Sequence, residues 1–273
     1  MDTKRGFQIN PDLEELTRTV ANLVRKSARI VIFTGAGVST ESGIPDFRSP
    51  GGVWQKYNPE DFYYQKFLAS EESRKKYWQM SREFYEFLKK AEPNAAHRAV
   101  VELETMNKLD CVITQNIDSL HQKAGSSSEK VIELHGTAMS VSCLDCCQKY
   151  SRDEIQSWLL RNVLVPRCSA CGGILKPDTI SFGQPMPPKE TEESFRRART
   201  CDLFTVIGSS LVVQPAASIP LVAKENGAKL VIINHDSTAH DIFADVVIQG
   251  SAGEVMANIL AHLRKIENHR VVK

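Results

Sequence analysis

Gly35, Ala36 and Gly37 follow a short apolar run, residues 30–33, that reads as a buried strand. A strand running straight into Gly-x-Gly points to backbone that must pass close to a phosphate. The segment does not continue as a dinucleotide fingerprint for hydride transfer. Such a fingerprint wants a third glycine where Thr40 stands. It also wants an acid at the end of a second strand about 20 residues on, and no clear candidate is present. Instead the chain runs through Gly43, Ile44 and Pro45 into Asp46, Phe47 and Arg48. An acid, an aromatic ring and a guanidinium in succession are unusual in a plain connection. They suit a nucleotide site built for something other than hydride transfer.

Other apolar runs also end in polar residues. After Val112-Ile113 come Thr114, Gln115, Asn116, Ile117 and Asp118; after Ile132-Glu133-Leu134 come His135 and Gly136. After Val206-Ile207 come Gly208, Ser209 and Ser210, and after Ile232-Ile233 comes Asn234. Open α/β sheets bind ligands beyond the carboxyl ends of their strands. These amides, hydroxyls, one acid and one imidazole are therefore expected to converge in one cleft. Singly each is weak: a lone histidine is more often structural, and Gly-Ser-Ser is commonly a turn. Histidine suits a general base because its unperturbed pKa is about 6.5. Gln115 and Asn116 suit ribose hydroxyls, and Asp118 suits a carboxamide.

The chain has 7 cysteines. Cys143-x-x-Cys146 and Cys168-x-x-Cys171 are separated by residues 147–167, slightly more than a two-pair zinc site usually spans, and Gly172-Gly173 follows the second pair. Two such pairs are expected to close a tetrahedral four-thiolate shell on Zn²⁺. A complete protein shell leaves no open position, so the metal would be structural. Cys147 is ambiguous, because a register shift would let it replace Cys146. Cys111 and Cys201 read as core residues. Residues 140–176 carry too few basic side chains for a nucleic-acid surface.

The 273 residues allow a large core plus a smaller module, and a net charge of +1 gives no bulk attraction to nucleic acid or membrane. No apolar core of an export signal is visible in residues 1–10, and apolar runs are too short to span a bilayer. A reducing, cytoplasmic setting is expected. A helix should start at Asn10-Pro11, with Leu13, Leu16, Val20, Leu23 and Val24 on one face. Residues 60–92 read as one or two helices whose aromatic side chains belong to packing. Further helices are expected over 93–106, 187–200, 215–226 and 253–266, and strands over 109–114, 131–134, 203–207, 230–233 and 246–248. Residues 268–273 look frayed. Strands alternating with helices imply an α/β fold with a doubly wound parallel sheet.

At this point the residues resemble a known family. The run from Gly35 to Ser39, the run from Gly43 to Arg48, Gln115-Asn116-Ile117-Asp118 and His135-Gly136 are similar to motifs of the sirtuins of prokaryotic type. So are the four cysteines, Lys176-Pro177-Asp178, Phe182-Gly183 and Gly208-Ser209-Ser210, in the family's order, over about residues 28–260. Sirtuins are NAD-dependent protein lysine deacylases. The resemblance implies a Rossmann-like large domain (1–48, 93–140 and 175–273) and a small domain of helical insert (49–92) and zinc ribbon (141–174). NAD would be consumed as a co-substrate, and one Zn would be structural. Gly35, Ala36, Gly37 and the N-terminus of a following helix would hold the pyrophosphate. Ile44, Asp46, Phe47, Ile117 and Asp118 would form the nicotinamide pocket, with Arg48 closing over it. Gln115 and Asn116 would face the ribose, and Gly208, Ser209, Ser210, Asn234 and Ala252 the adenosine half. An acylated peptide would lie extended between Ile180-Ser181-Phe182-Gly183 and the segment from Leu211.

In the family's reaction the acyl oxygen attacks the nicotinamide ribose carbon and nicotinamide leaves. His135 would then activate a ribose hydroxyl, with Asn116 beside it and Phe47 shielding the reacting carbon. The products would be lysine, nicotinamide and O-acyl-ADP-ribose. The small Ser181, and Gln184 where many relatives carry Glu, suggest a wider tunnel open to longer acyl groups. No Tyr-x-x-Arg pair stands in register in the helical insert, which disfavours succinyl and malonyl groups and leaves acetyl-lysine in front. Competing readings are an ADP-ribosyltransferase on the same scaffold, a catalytically idle NAD and zinc module, and a dehydrogenase. Acyl-lysine proteins are the expected partners, with no nucleic acid, no membrane and a monomeric state.

Overall fold

The structure is a computed structural model and describes residues 11–271, with side chains over 12–266. The expected cap at Asn10, the reading of residues 1–10 and the last two residues lie outside the described residues. The helices are α1 (Pro11–Lys26), α2 (Val53–Lys56), α3 (Tyr64–Ala69), α4 (Glu71–Lys90), α5 (Ala95–Thr105), α6 (Leu120–Ala124), α7 (Arg152–Leu160), α8 (Pro188–Thr200), α9 (Ile219–Glu225) and α10 (Ala252–Val271). The strands are β1 (Ile30–Thr34), β2 (Leu109–Thr114), β3 (Val131–Glu133), β4 (Gly136–Cys143), β5 (Lys149–Ser151), β6 (Leu175–Thr179), β7 (Leu203–Ile207), β8 (Lys229–Asn234) and β9 (Val246–Gln249).

Six strands form one parallel sheet in the order β3-β2-β1-β7-β8-β9. β1 and β7 are buried at every residue, as strands covered by helices on both faces must be. Successive side chains point to opposite faces. Ile30 and Ile32 meet Val20 and Val24 of α1, Val100 and Leu103 of α5, and Val255 and Ile259 of α10. Val31 and Phe33 face the other way, with Ala198 of α8 and Ile219 and Ala223 of α9. Cys111 and Cys201 lie in this second layer, as core residues should. Asn94 caps α5, accepting from the N–H groups of Ala96 and His97. Among the described residues no helix is long and apolar enough to cross a membrane.

The three remaining strands form an antiparallel sheet in the order β5-β4-β6. β4 escapes a reading by apolar pattern because its residues are mostly small and only half-buried. It starts directly after His135 and ends on Cys143, so the expected domain boundary at 140/141 runs through it. Gly136 makes this possible: at φ 72, a Cβ there would sit 1.9 Å from Asp178 O. Trp78 of α4 is fully buried among Val141, Tyr150, Ile155, Leu159 and Leu175, so the helical insert and the cysteine-rich module share one core.

Residues 60–92 hold two helices, within the one or two expected, preceded by a 3₁₀ turn, because Asn58 and Ser70 each cap a fresh start. One other expectation differs. α10 continues through Val271 where fraying was expected, since nothing from 267 to 271 is Gly or Pro. Trp78→Ala is expected to cost about 3–5 kcal/mol of stability by denaturant unfolding. A loss under about 1 kcal/mol would show that the two parts of the module do not depend on a common core.

Candidate active site

The strand order reverses between β1 and β7, and a crevice opens beyond their carboxyl ends. The loops that leave these strands touch. Gly35 N–H donates to Ile207 O at 3.1 Å and Gly37 N–H to Gly208 O at 2.8 Å. A Cβ on Gly37 would lie 2.8 Å from Gly208 Cα, and one on Gly208 would lie 2.2 Å from Val38 N. No side chain fits between the loops. Beyond this contact the chain makes two 3₁₀ turns, Ala36–Val38 and Thr40–Ser42, and not the helix expected there. Gly43, at φ 82, ends the second turn, and its left-handed backbone breaks off the helical path. Glu41 accepts from Gly253 N–H at 2.7 Å, which ties this loop to the first turn of α10 beside Ala252.

A buried polar cluster fills the floor. Ser39 Oγ donates to Asp118 Oδ2 at 2.7 Å, and Leu120 N–H donates to Asp118 Oδ1 at 2.9 Å. Asn116 Nδ2 donates to Ser39 Oγ at 3.1 Å. Burial pushes the Asp118 carboxyl up, opposed by the bonds from Leu120, Ser39 and Asn116. Gln115 Nε2 donates to Ser209 Oγ at 2.8 Å, joining the ends of β2 and β7. His135 Nδ1 lies 3.1 Å from Gln115 O. A carbonyl oxygen only accepts, so the geometry assigns the proton to Nδ1 and leaves Nε2 as a free lone pair. Burial lowers the His135 pKa, partly offset by the Gln115 carbonyl. A neutral, oriented imidazole of this kind is equipped to take a proton.

Ser39 was not singled out by type or spacing, yet it is the hub between Asn116 and Asp118. The only hint was a small hydroxyl inside the glycine-rich run. Ser210, Asn234 and Ala252 lie along the same edge, at the ends of β7 and β8 and the start of α10, without joining the hydrogen-bonded cluster among the described residues.

An aromatic wall stands opposite. Asp46 Oδ1 accepts from Arg48 N–H at 2.9 Å and Ser49 N–H at 2.8 Å, which bends the chain so that Phe47 turns inward. Trp54 lies 5.4 Å from Phe47 and 6.1 Å from Phe182, ring centre to ring centre. Ile44 packs with Ile117 and Ala138, while Arg48 is exposed. Ile180 N–H donates to His135 O at 2.9 Å. Ser181 to Gln184 form a turn, pinned by Tyr64 N–H to Phe182 O at 2.9 Å and Gln65 Nε2 to Gly183 O at 2.9 Å. Leu211 is buried at φ 54 just beyond Ser209, whose Oγ accepts from its N–H.

The sulfurs of Cys143, Cys146, Cys168 and Cys171 all lie within 4.8 Å of one another. Cys143–Cys171 and Cys146–Cys168 are each 3.6 Å apart. A tetrahedral zinc with bonds of about 2.3 Å needs edges of about 3.8 Å, so this donor set fits zinc. Cys147, exposed at φ 62, is outside the cluster, which resolves the register in favour of Cys146. Gly173 is required here, because a Cβ would meet Asp145 Oδ2 at 2.2 Å and Cys143 Sγ at 2.9 Å.

Two outcomes are expected. The purified protein should carry about one zinc per chain, and stripping it with a strong chelator should lower the melting temperature; an unchanged melting temperature in metal-free protein would remove the structural role. The second concerns pH. If neutral His135 is the base, kcat/KM falls as pH drops through a pKa below the ordinary value of about 6.5. The profile should therefore be flat from about pH 7 upward to 8, and an acid limb centred above pH 7 would contradict the assignment.

The Sir2 family profile matches residues 35–215. The NAD-dependent protein deacetylase of Thermodesulfovibrio yellowstonii is 48% identical over 247 residues, covering 90% of this chain and 94% of that protein. NAD-dependent protein deacylase 2 of Archaeoglobus fulgidus is 42% identical over 259 residues, covering 94% and 100%. A solved chain from work on the mechanism and regulation of Sir2 enzymes superposes with a TM-score of 0.84 at 43% identity, covering 93% of this chain and 99% of that one. Sir2Af2 bound to a myristoylated histone peptide gives 0.77 at 38% identity, covering 94% and 99%. With the glycine crossover, the buried acid, the half-buried imidazole and the four thiols all present in one chain, this protein belongs to the Sir2 family, the sirtuins that its motifs resemble.

Proposed function

We propose that this chain is an NAD-dependent protein lysine deacylase, moving the acyl group of acyl-lysine to ADP-ribose with release of nicotinamide. The observation that carries this reading is His135: a half-buried neutral imidazole with its Nδ1 proton held by Gln115 O, and its backbone carbonyl accepting from the N–H of Ile180 on the peptide side. Nε2 is then the base that takes a proton from a ribose hydroxyl, and no protein nucleophile is required. Asp118, held by Ser39 and Leu120, accepts from the nicotinamide carboxamide. Asn116 and Gln115 orient the ribose. Gly35, Ala36, Gly37, Gly208 and Ser209 supply close backbone for the pyrophosphate and adenosine, with Ser210, Asn234 and Ala252 further along the edge. Phe47 covers the reacting carbon, Ile44 and Ile117 line the nicotinamide, and Arg48 closes from outside.

The balance of the reaction suits these groups. The C1′–N bond of NAD breaks, and a C1′–O bond forms to the acyl oxygen. With its proton on His135, the ribose oxygen bonds to the acyl carbon. The acyl carbon–nitrogen bond then breaks, lysine leaving as the amine with that proton. Water adds to the acyl carbon as its bond to the C1′ oxygen breaks. Acetyl-lysine is the leading substrate. Longer chains are supported by the myristoylated peptide on Sir2Af2, a relative of the same fold. The thiolate metal site suits a reducing, cytoplasmic setting.

Mass spectrometry of one reaction with NAD and an acetylated peptide tests the proposal. O-acetyl-ADP-ribose and free peptide are expected; a mass gain of ADP-ribose on protein would replace deacylation by transfer. His135→Ala should reduce turnover by about 100- to 10,000-fold while NAD still binds, and near-native turnover would remove His135 from the mechanism.

A further inference from the structure

The loop that leaves β2 carries Gln115, Asn116 and Asp118 and turns into α6 at Leu120. Ser119 stands just before that helix at φ 56, a left-handed backbone that a serine keeps only where its surroundings hold it. His121 follows and is buried. Its Nε2 lies 3.1 Å from Thr34 Oγ1, at the end of β1. Thr34 Oγ1 donates to Thr114 Oγ1, at the end of β2, at 2.9 Å. Thr114 Oγ1 also accepts from Asn116 N–H at 3.1 Å. The loop is thus laced back to its own root. It starts at Thr114, passes Asn116 and Asp118, and returns through His121 to Thr34 and Thr114.

Proton count fixes the direction of each bond. The hydroxyl proton of Thr34 goes to Thr114, so the contact with His121 needs a donor on the ring, and Nε2 carries the proton. Burial, with His97 adding to it, draws the His121 pKa down to about 3, so the ring is neutral. His97 of α5 backs that ring, 4.9 Å from centre to centre. Asn94, the cap of the same helix, donates to Val38 O at 2.7 Å and to Ser42 Oγ at 3.0 Å. One end of α5 therefore braces both the His121 ring and the turns on either side of Ser39, the residue to which Asn116 Nδ2 donates.

We propose that His121 is a positioning residue for the reaction: through Thr34 and Thr114 it fixes the loop from Gln115 to Leu120, and so holds Asn116 against the nicotinamide ribose while the C1′–N bond breaks. The inference rests on the deacylase reading and adds to it a residue buried behind the site. A laced loop suits this task, because a misplacement of about 1 Å at a reacting centre costs about 100-fold in rate. His121 acts on the first chemical step, before His135 takes its proton.

Nicotinamide exchange isolates that step. With the full-length protein, NAD, an acetylated peptide and labelled nicotinamide, label enters NAD only when the C1′–N bond breaks and forms again. His121→Phe keeps a ring but removes the donor. It should lower kcat for exchange by about 10- to 100-fold, and deacetylation with it, while the peptide KM changes less than about threefold. His121→Gln, whose amide reaches the place of Nε2 as a donor, should recover most of that loss. Thr34→Val cuts the next link. It should lower exchange by about tenfold alone and by less than about twofold on top of His121→Phe; it carries the test if His121→Phe fails to fold. Unchanged kcat in folded His121→Phe or Thr34→Val, with only the melting temperature lowered, would overturn the proposal and leave His121 a packing residue. His121→Gln no more active than His121→Phe would do so as well. Wild-type protein that shows neither exchange nor acyl transfer would instead defeat the deacylase reading itself.

Discussion

Two loops that cross without room for a side chain set the terms for this molecule. Gly37 and Gly208 approach so closely that a Cβ on either would collide with the backbone of the other. That contact brings the ends of β1 and β7 together and lets Gln115 reach Ser209 across the gap. Everything polar in the site is hung from it. Ser39 follows directly on the crossing loop, and its position there allows it to hold Asn116 and Asp118 at once. Glu41, one turn further, carries the same constraint to the start of α10.

The opposite wall is built by a different kind of force. Phe47, Trp54 and Phe182 meet as tilted rings, contributions of area and shape with little directionality. The division is physically sensible. Charge develops at the ribose carbon and must be met by fixed dipoles, which belong on the ends of rigid strands. Water must be kept out, which belongs to apolar groups on a loop. Trp54 lies outside both the Gly43 to Arg48 loop and the Ser181 to Gln184 turn, yet it touches a ring from each. The helical insert is therefore part of the site's enclosure, and its attachment to the cysteine-rich module through Trp78 fixes where that enclosure stands.

Much of this was legible in residue order. The parallel strands announce themselves as uninterrupted apolar runs, and the polar residues that end them do lie at one edge of the sheet. The four cysteines needed only their spacing. What could not be read has identifiable causes. β4 is made of small residues held by Gly136 and by pairing with β6, and neither is a pattern along the chain. The helix expected after Gly37 is replaced by two 3₁₀ turns, broken by Gly43, which looked like part of a motif and not a terminator. Ser39 is a common residue whose role comes from where Asp118 arrives, 79 residues later.

The pairing of β1 with β7 has a consequence in time. Ile30 lies beside Leu203 and Thr34 beside Ile207. During synthesis β1, β2 and β3 are available to one another early, and the cysteine-rich module is complete before β7 has been made. The crevice between β1 and β7 has only one bank until then. The cofactor site is thus among the last features the growing chain is able to assemble, and β1 waits with its β7 edge unpaired through most of translation. A nascent protein of this topology has a finished metal module well before it has an active site.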